Sequence, residues 1–242
     1  APLVELSRTI RGMIVPHSGY LYAGGVAARA YSQIVNKNYK TIVIISPSTT
    51  EKFEFCSIFD GMGYSTPLGE IPIDIISAKK LTSFSPQIQF SQLGHSLSEH
   101  TQEVQLPFLQ WCLGKFQIIP IVMGVQNEVI IQALTEALKS VIPPEGSLII
   151  ASSDLSHHYP LQKAKNFDQN STDIIAEFDE DRLLEEAQDG TIEMTGYGPA
   201  IVAMKVAKKL GASQSKVLLY RNSGDINSDY KQVDGYLSAI FY

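Results

Sequence analysis

Short, predominantly apolar runs recur along this chain, separated by stretches of helical spacing, and that alternation restricts the fold more than any other feature. The runs fall at residues 12–15, 41–45, 116–122, 147–151 and 216–220. A strand with one wet face alternates apolar and polar residues, whereas a strand buried on both faces reads as a continuous apolar run. Between them, residues 25–35, 99–113, 128–141, 172–187 and 199–210 space apolar side chains three and four apart, as helices covering a sheet do. Gly211 after Leu210, and Pro143 with Pro144 ahead of the run at 147, supply helix stops. An apolar, aromatic segment at 236–242 adds a last strand. The expectation is a three-layer α/β/α fold, with residues 1–242 forming one domain without repeat or linker.

Charge and cysteine usage exclude several function classes. The chain has 25 acidic and 19 basic residues, a net charge of −6, and no basic cluster, so nothing draws it to nucleic acid or an anionic membrane. Cys56 and Cys112 lie in unrelated apolar or aromatic settings and are expected as buried free thiols. No apolar run approaches the ~20 residues that cross a bilayer, and the N-terminus lacks the layout of a secretion signal. A cytoplasmic location is expected.

Ligand groups in open α/β sheets gather beyond the carboxyl ends of the strands. The run at 12–15 leads into Pro16-His17-Ser18-Gly19-Tyr20, the run at 41–45 into Ser46-Pro47-Ser48-Thr49-Thr50, and the run at 147–151 into Ser152-Ser153-Asp154-Leu155-Ser156-His157-His158. A fourth contribution, Gly94-His95-Ser96-Leu97-Ser98-Glu99-His100, opens the helical stretch at 99–113. Each residue alone has a plain structural reading. His17 could brace the glycine turn, Asp154 could cap loop N–H groups, and Glu99 with His100 could begin a helix. His95 and His158 are expected as surface or loop residues. Convergence of the others on one rim points to a polar pocket centred on His17.

The ordered motifs Val15-Pro16-His17-Ser18-Gly19-Tyr20, Glu99-His100-Thr101-Gln102-Glu103-Val104-Gln105-Leu106-Pro107-Phe108, Ser152-Ser153-Asp154-Leu155-Ser156-His157, Gly196-Tyr197-Gly198-Pro199 and Ser223-Gly224-Asp225 resemble the Memo family over nearly the whole chain. In prokaryotes that resemblance corresponds to the AmmeMemoRadiSam system protein B. It implies an α/β/α fold with a central mixed sheet like that of the class III extradiol dioxygenases. It also implies a segment before the His17 loop that these residues do not contain. Two histidines and a cysteine are the metal ligands that the resemblance implies. The first histidine falls on His17, but the second position, in a Gly-Pro-x-His loop, is Thr49, and the cysteine position is Thr195. Neutral hydroxyls bind first-row dications far more weakly than imidazole or thiolate. No metal cofactor is therefore expected, and a family-type iron, copper or zinc site is disfavoured.

Two functional readings follow. In the first, the chain is a metal-free accessory or binding component whose pocket of His17, Ser48, Thr49, Glu99, His100, Asp154, His157 and Thr195 holds a polar or peptide ligand. Its implied partners are Ammecr1-like and radical-SAM proteins or a peptide. In the second, it is a non-haem metal-dependent redox enzyme with a rearranged site of His17, Asp154 and His157, or an imidazole-base catalyst. No Gly-x-Ser-x-Gly elbow, P-loop, dinucleotide turn or paired-cysteine motif supports the catalytic reading.

Overall fold

A computed structural model describes residues 9–242. Its strands are β1 (Gly12–Val15), β2 (Thr41–Pro47), β3 (Cys56–Ile58), β4 (Gly63–Thr66), β5 (Gly69–Pro72), β6 (Ile88–Phe90), β7 (Gln117–Met123), β8 (Ser147–Ser152), β9 (Ser215–Asn222) and β10 (Gly235–Phe241). The helices are α1 (Tyr20–Tyr31), α2 (Ile75–Phe84), α3 (Leu106–Cys112), α4 (Glu128–Val141), α5 (Leu161–Glu177), α6 (Glu180–Asp189), α7 (Tyr197–Lys209) and α8 (Gly224–Asn227). Eight strands form one mixed sheet in the order β6-β3-β7-β2-β8-β1-β10-β9, and β4 pairs with β5 as a separate hairpin.

The sheet is parallel at its centre, where β7, β2, β8 and β1 run side by side, and antiparallel where β3 and β10 join them. Alternate residues of β2 enter opposite layers. Val43 and Ile45 pack with α4 and α7 side chains such as Leu134 and Ile201, while Ile42 and Ile44 pack with Ala27 and Tyr31 of α1 and Leu109 of α3. That two-sided burial explains the apolar runs of the central strands, each fully buried Ile or Val contributing about 1.5–3 kcal/mol, whereas the run at 216–220 lies in β9, a half-buried edge strand. The three-layer α/β/α expectation holds. Cys56 and Cys112 are buried free thiols, as expected. No helix among the described residues is long and apolar enough to cross a membrane.

Two helical expectations need correction. The stretch 99–113 is not one helix: a 3-10 turn covers Glu103–Gln105, and α3 begins only at Leu106, with Pro107 in its first turn where a missing N–H costs nothing. The stretch 172–187 is two helices. Phe178 turns left-handed at φ 61° to end α5, and Asp179 caps α6 by accepting from the Arg182 N–H at 3.0 Å. The first half of α5 escapes the apolar pattern because what it buries is Ala164, Asp168 and Ser171. Strands β3 and β6, three residues each, are too short to leave a periodic signal.

Because β2, β8 and β1 are adjacent and parallel, the loops that follow them open on one edge of the sheet. The topology thus brings His17, Ser48 and Asp154 to a common rim.

Candidate functional site

Asp154 ties the first two loops together. Its Oδ1 accepts the backbone N–H groups of His17 at 2.8 Å and Ser18 at 3.3 Å, and its Oδ2 accepts the Ser18 hydroxyl. Only 1% of Asp154 is exposed, and burial alone would favour its neutral form. His17, His157 and Ser18 outweigh burial and hold the carboxyl at about 2, so it is ionised. The bland reading of Asp154 as a loop brace is correct as far as it goes, but the loop it braces carries His17.

The protonation pattern of His17 follows from its partners. Ser152 Oγ donates its single proton to the Thr101 carbonyl at 2.7 Å, so it must accept from both Gln105 Nε2, at 3.0 Å, and His17 Nδ1, at 3.2 Å. Gln105 is itself oriented, because its Nε2 also donates to the Pro16 carbonyl at 2.9 Å and its Oε1 accepts the Tyr31 hydroxyl at 2.8 Å. Neutral His17 therefore carries its proton on Nδ1 and a lone pair on Nε2. Burial, followed by the influence of Asp154 in the opposite sense, leaves its pKa below the ordinary value, which favours that neutral form.

Thr195 meets that lone pair. Its Oγ1 accepts the Asp154 N–H at 3.1 Å and has its own proton for His17 Nε2 or the Asp154 carbonyl, each 3.3 Å away. Gly196 makes this approach possible, since a Cβ there would lie 2.5 Å from the Ser152 carbonyl oxygen.

Thr49 is committed elsewhere. Its hydroxyl donates to the Glu99 carboxylate, 3.0 and 3.1 Å from the two oxygens, and its N–H lies 2.6 Å from Glu99 Oε2. Thr50 and Thr101 donate to the same carboxylate, and although burial opposes it, the hydrogen bonds from Thr49 and Thr101 lower its pKa. Glu99 and His100 are thus not a helix start. Glu99 is a buried clamp on the loop after β2, and His100 stands exposed, edge-on to the His17 ring at 6.1 Å between centroids. Ser48 turns back on its own loop, donating to the Glu51 carbonyl at 2.8 Å.

The other histidines divide. His157 is partly exposed, with Nε2 3.5 Å from Asp154 Oδ2, and although burial opposes it, Asp154 raises its pKa. His158 is exposed beside Asp234, as a surface residue should be. His95 is not a surface residue: burial lowers its pKa to about 4, and it braces Tyr64 against the Ser57 carbonyl. Gln105 and Ser152, which set the state of His17, carried no sequence signal beyond their place in the motifs.

These residues do not fit the metal set that the family resemblance implies. Of the three ligand positions only His17 offers a strong donor, because the Thr49 hydroxyl is spent on Glu99 and the Thr195 hydroxyl is neutral. In the rearranged set, Asp154 Oδ2 lies 3.8 Å from His17 Nε2 and 3.5 Å from His157 Nε2, but it already accepts from Ser18. Among the described residues no group of three or more His, Cys, Asp or Glu is arranged to hold a metal ion. The larger surface grooves lie elsewhere. One of about 540 Å³ opens beside Lys40 and Gln117, at the ends of β2 and β7 opposite the His17 rim.

Comparison with known proteins agrees with the layout. The chain is 37% identical to a MEMO1 family protein of Methanobrevibacter smithii over 235 residues, covering 95% of this chain and 82% of that protein. A MEMO1 family protein of Aquifex aeolicus is 34% identical, covering 96% and 85%. The solved structure of an uncharacterized protein from Escherichia coli K12 superposes with a TM-score of 0.62 at 12% identity, covering 97% of this chain and all of that one, which shows a shared fold. The family profile of Memo-like proteins matches residues 3–240, and the chain belongs to that family.

Proposed function

We propose that this Memo-like protein is a binding or accessory component that holds a polar or peptide ligand in the His17 pocket by hydrogen bonding, without a family-type metal. The observation that carries the reading is Thr195 facing His17 Nε2, a neutral hydroxyl where the family resemblance implies a thiolate. A ligand that displaces the Thr195 proton finds an acceptor in His17 Nε2, an imidazole in His157 whose protonated form Asp154 favours, and a further imidazole in His100 at the mouth. Asp154, ionised and buried, keeps these groups in place rather than contacting the ligand. The partners under this reading are Ammecr1-like and radical-SAM proteins or a peptide, and its setting is the cytoplasm.

The rearranged redox site, on a fold like that of the extradiol dioxygenases, is the competing reading, favoured by the two imidazole Nε2 atoms that share Asp154 Oδ2. Elemental analysis of protein purified without chelator separates the two. The binding reading expects no metal bound in stoichiometric amount, and a His17→Ala variant that folds yet loses partner capture from a pull-down with the Ammecr1-like and radical-SAM proteins. Stoichiometric iron, copper or zinc that His17→Ala removes would overturn it in favour of the redox site.

A further inference from the structure

A second cavity, of about 230 Å³, shares Glu99 with the His17 site and opens between the β4 strand and the loop at 94–99. Three rings form one side of it: Phe59 lies 5.2 Å from Tyr64 and 5.5 Å from His95, centroid to centroid. The hydrogen bonds beneath the rings fix what they present. His95 Nε2 donates to the Ser57 carbonyl at 3.2 Å, so its Nδ1 can only accept, and it takes the Tyr64 proton across 2.5 Å. Tyr64 Oη then has only lone pairs to offer.

Gln102 fixes the wall next to these rings. It is 2% exposed and lines the cavity. Its Nε2 donates to the carbonyls of Ile44 at 3.1 Å and Ile121 at 2.8 Å, two groups that cannot donate, so the amide cannot be turned the other way. Oε1 is buried and has no hydrogen-bond partner among the described residues. Glu103 adds a carboxylate at the rim, close enough to reinforce the effect of burial in opposing ionisation of Tyr64. The lining includes no lysine or arginine, and His95 stays neutral down to about pH 4.

We infer that this cavity is a subsite for a primary alkylammonium group, which donates to Tyr64 Oη, lies against the Phe59 and Tyr64 rings, and is balanced in charge by Glu103. The inference stands apart from the reading of the His17 pocket, because none of its donor-accepting atoms belongs to that pocket.

Calorimetric and saturation-transfer NMR titrations of the whole chain test it, using n-propylammonium chloride, neutral 1-propanol and tetramethylammonium at constant ionic strength. Saturable binding of propylammonium is expected, no detectable binding of 1-propanol, and roughly tenfold weaker binding of the cation that lacks N–H donors. Glu103→Gln, at the surface, should weaken propylammonium roughly threefold, while Glu54→Gln, an exposed carboxylate outside the cavity, leaves it unchanged. Tyr64→Phe should weaken it further. If that variant fails to fold, Glu103→Gln still decides. Nα-acetyl-lysine N-methylamide and 1,4-diaminobutane, compared directly, identify a peptide lysine or a free diamine as the better source of the group. Equal binding of 1-propanol, indifference to Glu103→Gln, or loss of binding in His17→Ala alone would overturn the inference. The last result would place the ammonium in the His17 pocket instead.

Discussion

Thr195 Oγ1 and His17 Nε2 lie 3.3 Å apart, and the hydroxyl faces the one imidazole nitrogen that Ser152 leaves without a proton. Replacing Thr195 by Cys and Thr49 by His should therefore build a metal site around His17. Cobalt(II) added to the double variant is expected to give a thiolate charge-transfer band in the near ultraviolet, with affinity at least about tenfold above that of the unaltered chain. Thr195→Ser should give no such band. A double variant that folds and stays colourless would show that the positions inherited from the Memo resemblance do not converge on His17.

Asp154 should make stability fall in acid. Its folded pKa of about 2 lies below the ordinary 3.8, so its contribution is complete above the ordinary value and is lost as the pH falls through the folded one. A shift of that size corresponds to roughly 2 kcal/mol. Urea unfolding midpoints of the native chain and Asp154→Asn should differ most above about pH 4 and converge towards about pH 2. A difference independent of pH would mean that Asp154 acts only by its shape.

The histidines should titrate in a defined order by NMR. His157 is expected above the ordinary 6.5, held up by Asp154 despite partial burial, while His17 falls below 6.5 and His95 reaches about 4, both lowered chiefly by burial. The signs for stability are opposite. The share from His157 is present below 6.5 and lost as the pH rises through its folded pKa, whereas those of His17 and His95 are lost as the pH falls. In Asp154→Asn the midpoint of His157 should drop. An unchanged midpoint would remove Asp154 as its cause.

Glu99→Gln should loosen the loop after β2. Oε2 receives the N–H groups of Thr49 and Thr50, and Oε1 receives the N–H of Thr101 at 3.3 Å, so either orientation of an amide sets its NH₂ against a backbone donor. The expected cost is about 2–4 kcal/mol in global unfolding. Hydrogen exchange at Thr49 and Thr50 should accelerate well beyond the change elsewhere. A uniform change would assign Glu99 no local role.

The layers of the fold were legible because the central strands are buried on both faces, which writes them into the chain as apolar runs. The rim was legible for a related reason: parallel neighbours send their loops to one edge, so His17 and Asp154 could be grouped without knowing any distance. What escaped was whatever depends on polar burial. The first half of α5 turns Asp168 and Ser171 inward and so breaks the expected periodicity. Glu99 opens a stretch that reads as helix, yet its carboxylate reaches back about fifty positions to Thr49, a pairing that no local spacing records. His95, between Gly94 and Ser96, does lie in a loop as expected, but its burial there left no mark in the sequence because its partners Tyr64 and Ser57 are far away along the chain.

The line of hydrogen bonds from Tyr31 through Gln105 and Ser152 to His17 bears on how portable the pocket is. Grafting the loops after β1, β2 and β8 onto another scaffold would carry the imidazole across but not the instruction that tells it which nitrogen to protonate. That instruction originates in the Thr101 carbonyl, which takes the Ser152 proton, and is supported from the last turn of α1 and the 3-10 turn before α3. A transplant would need that carbonyl and those two turns as well, or His17 would arrive as a mixture of tautomers with no fixed face to offer a ligand.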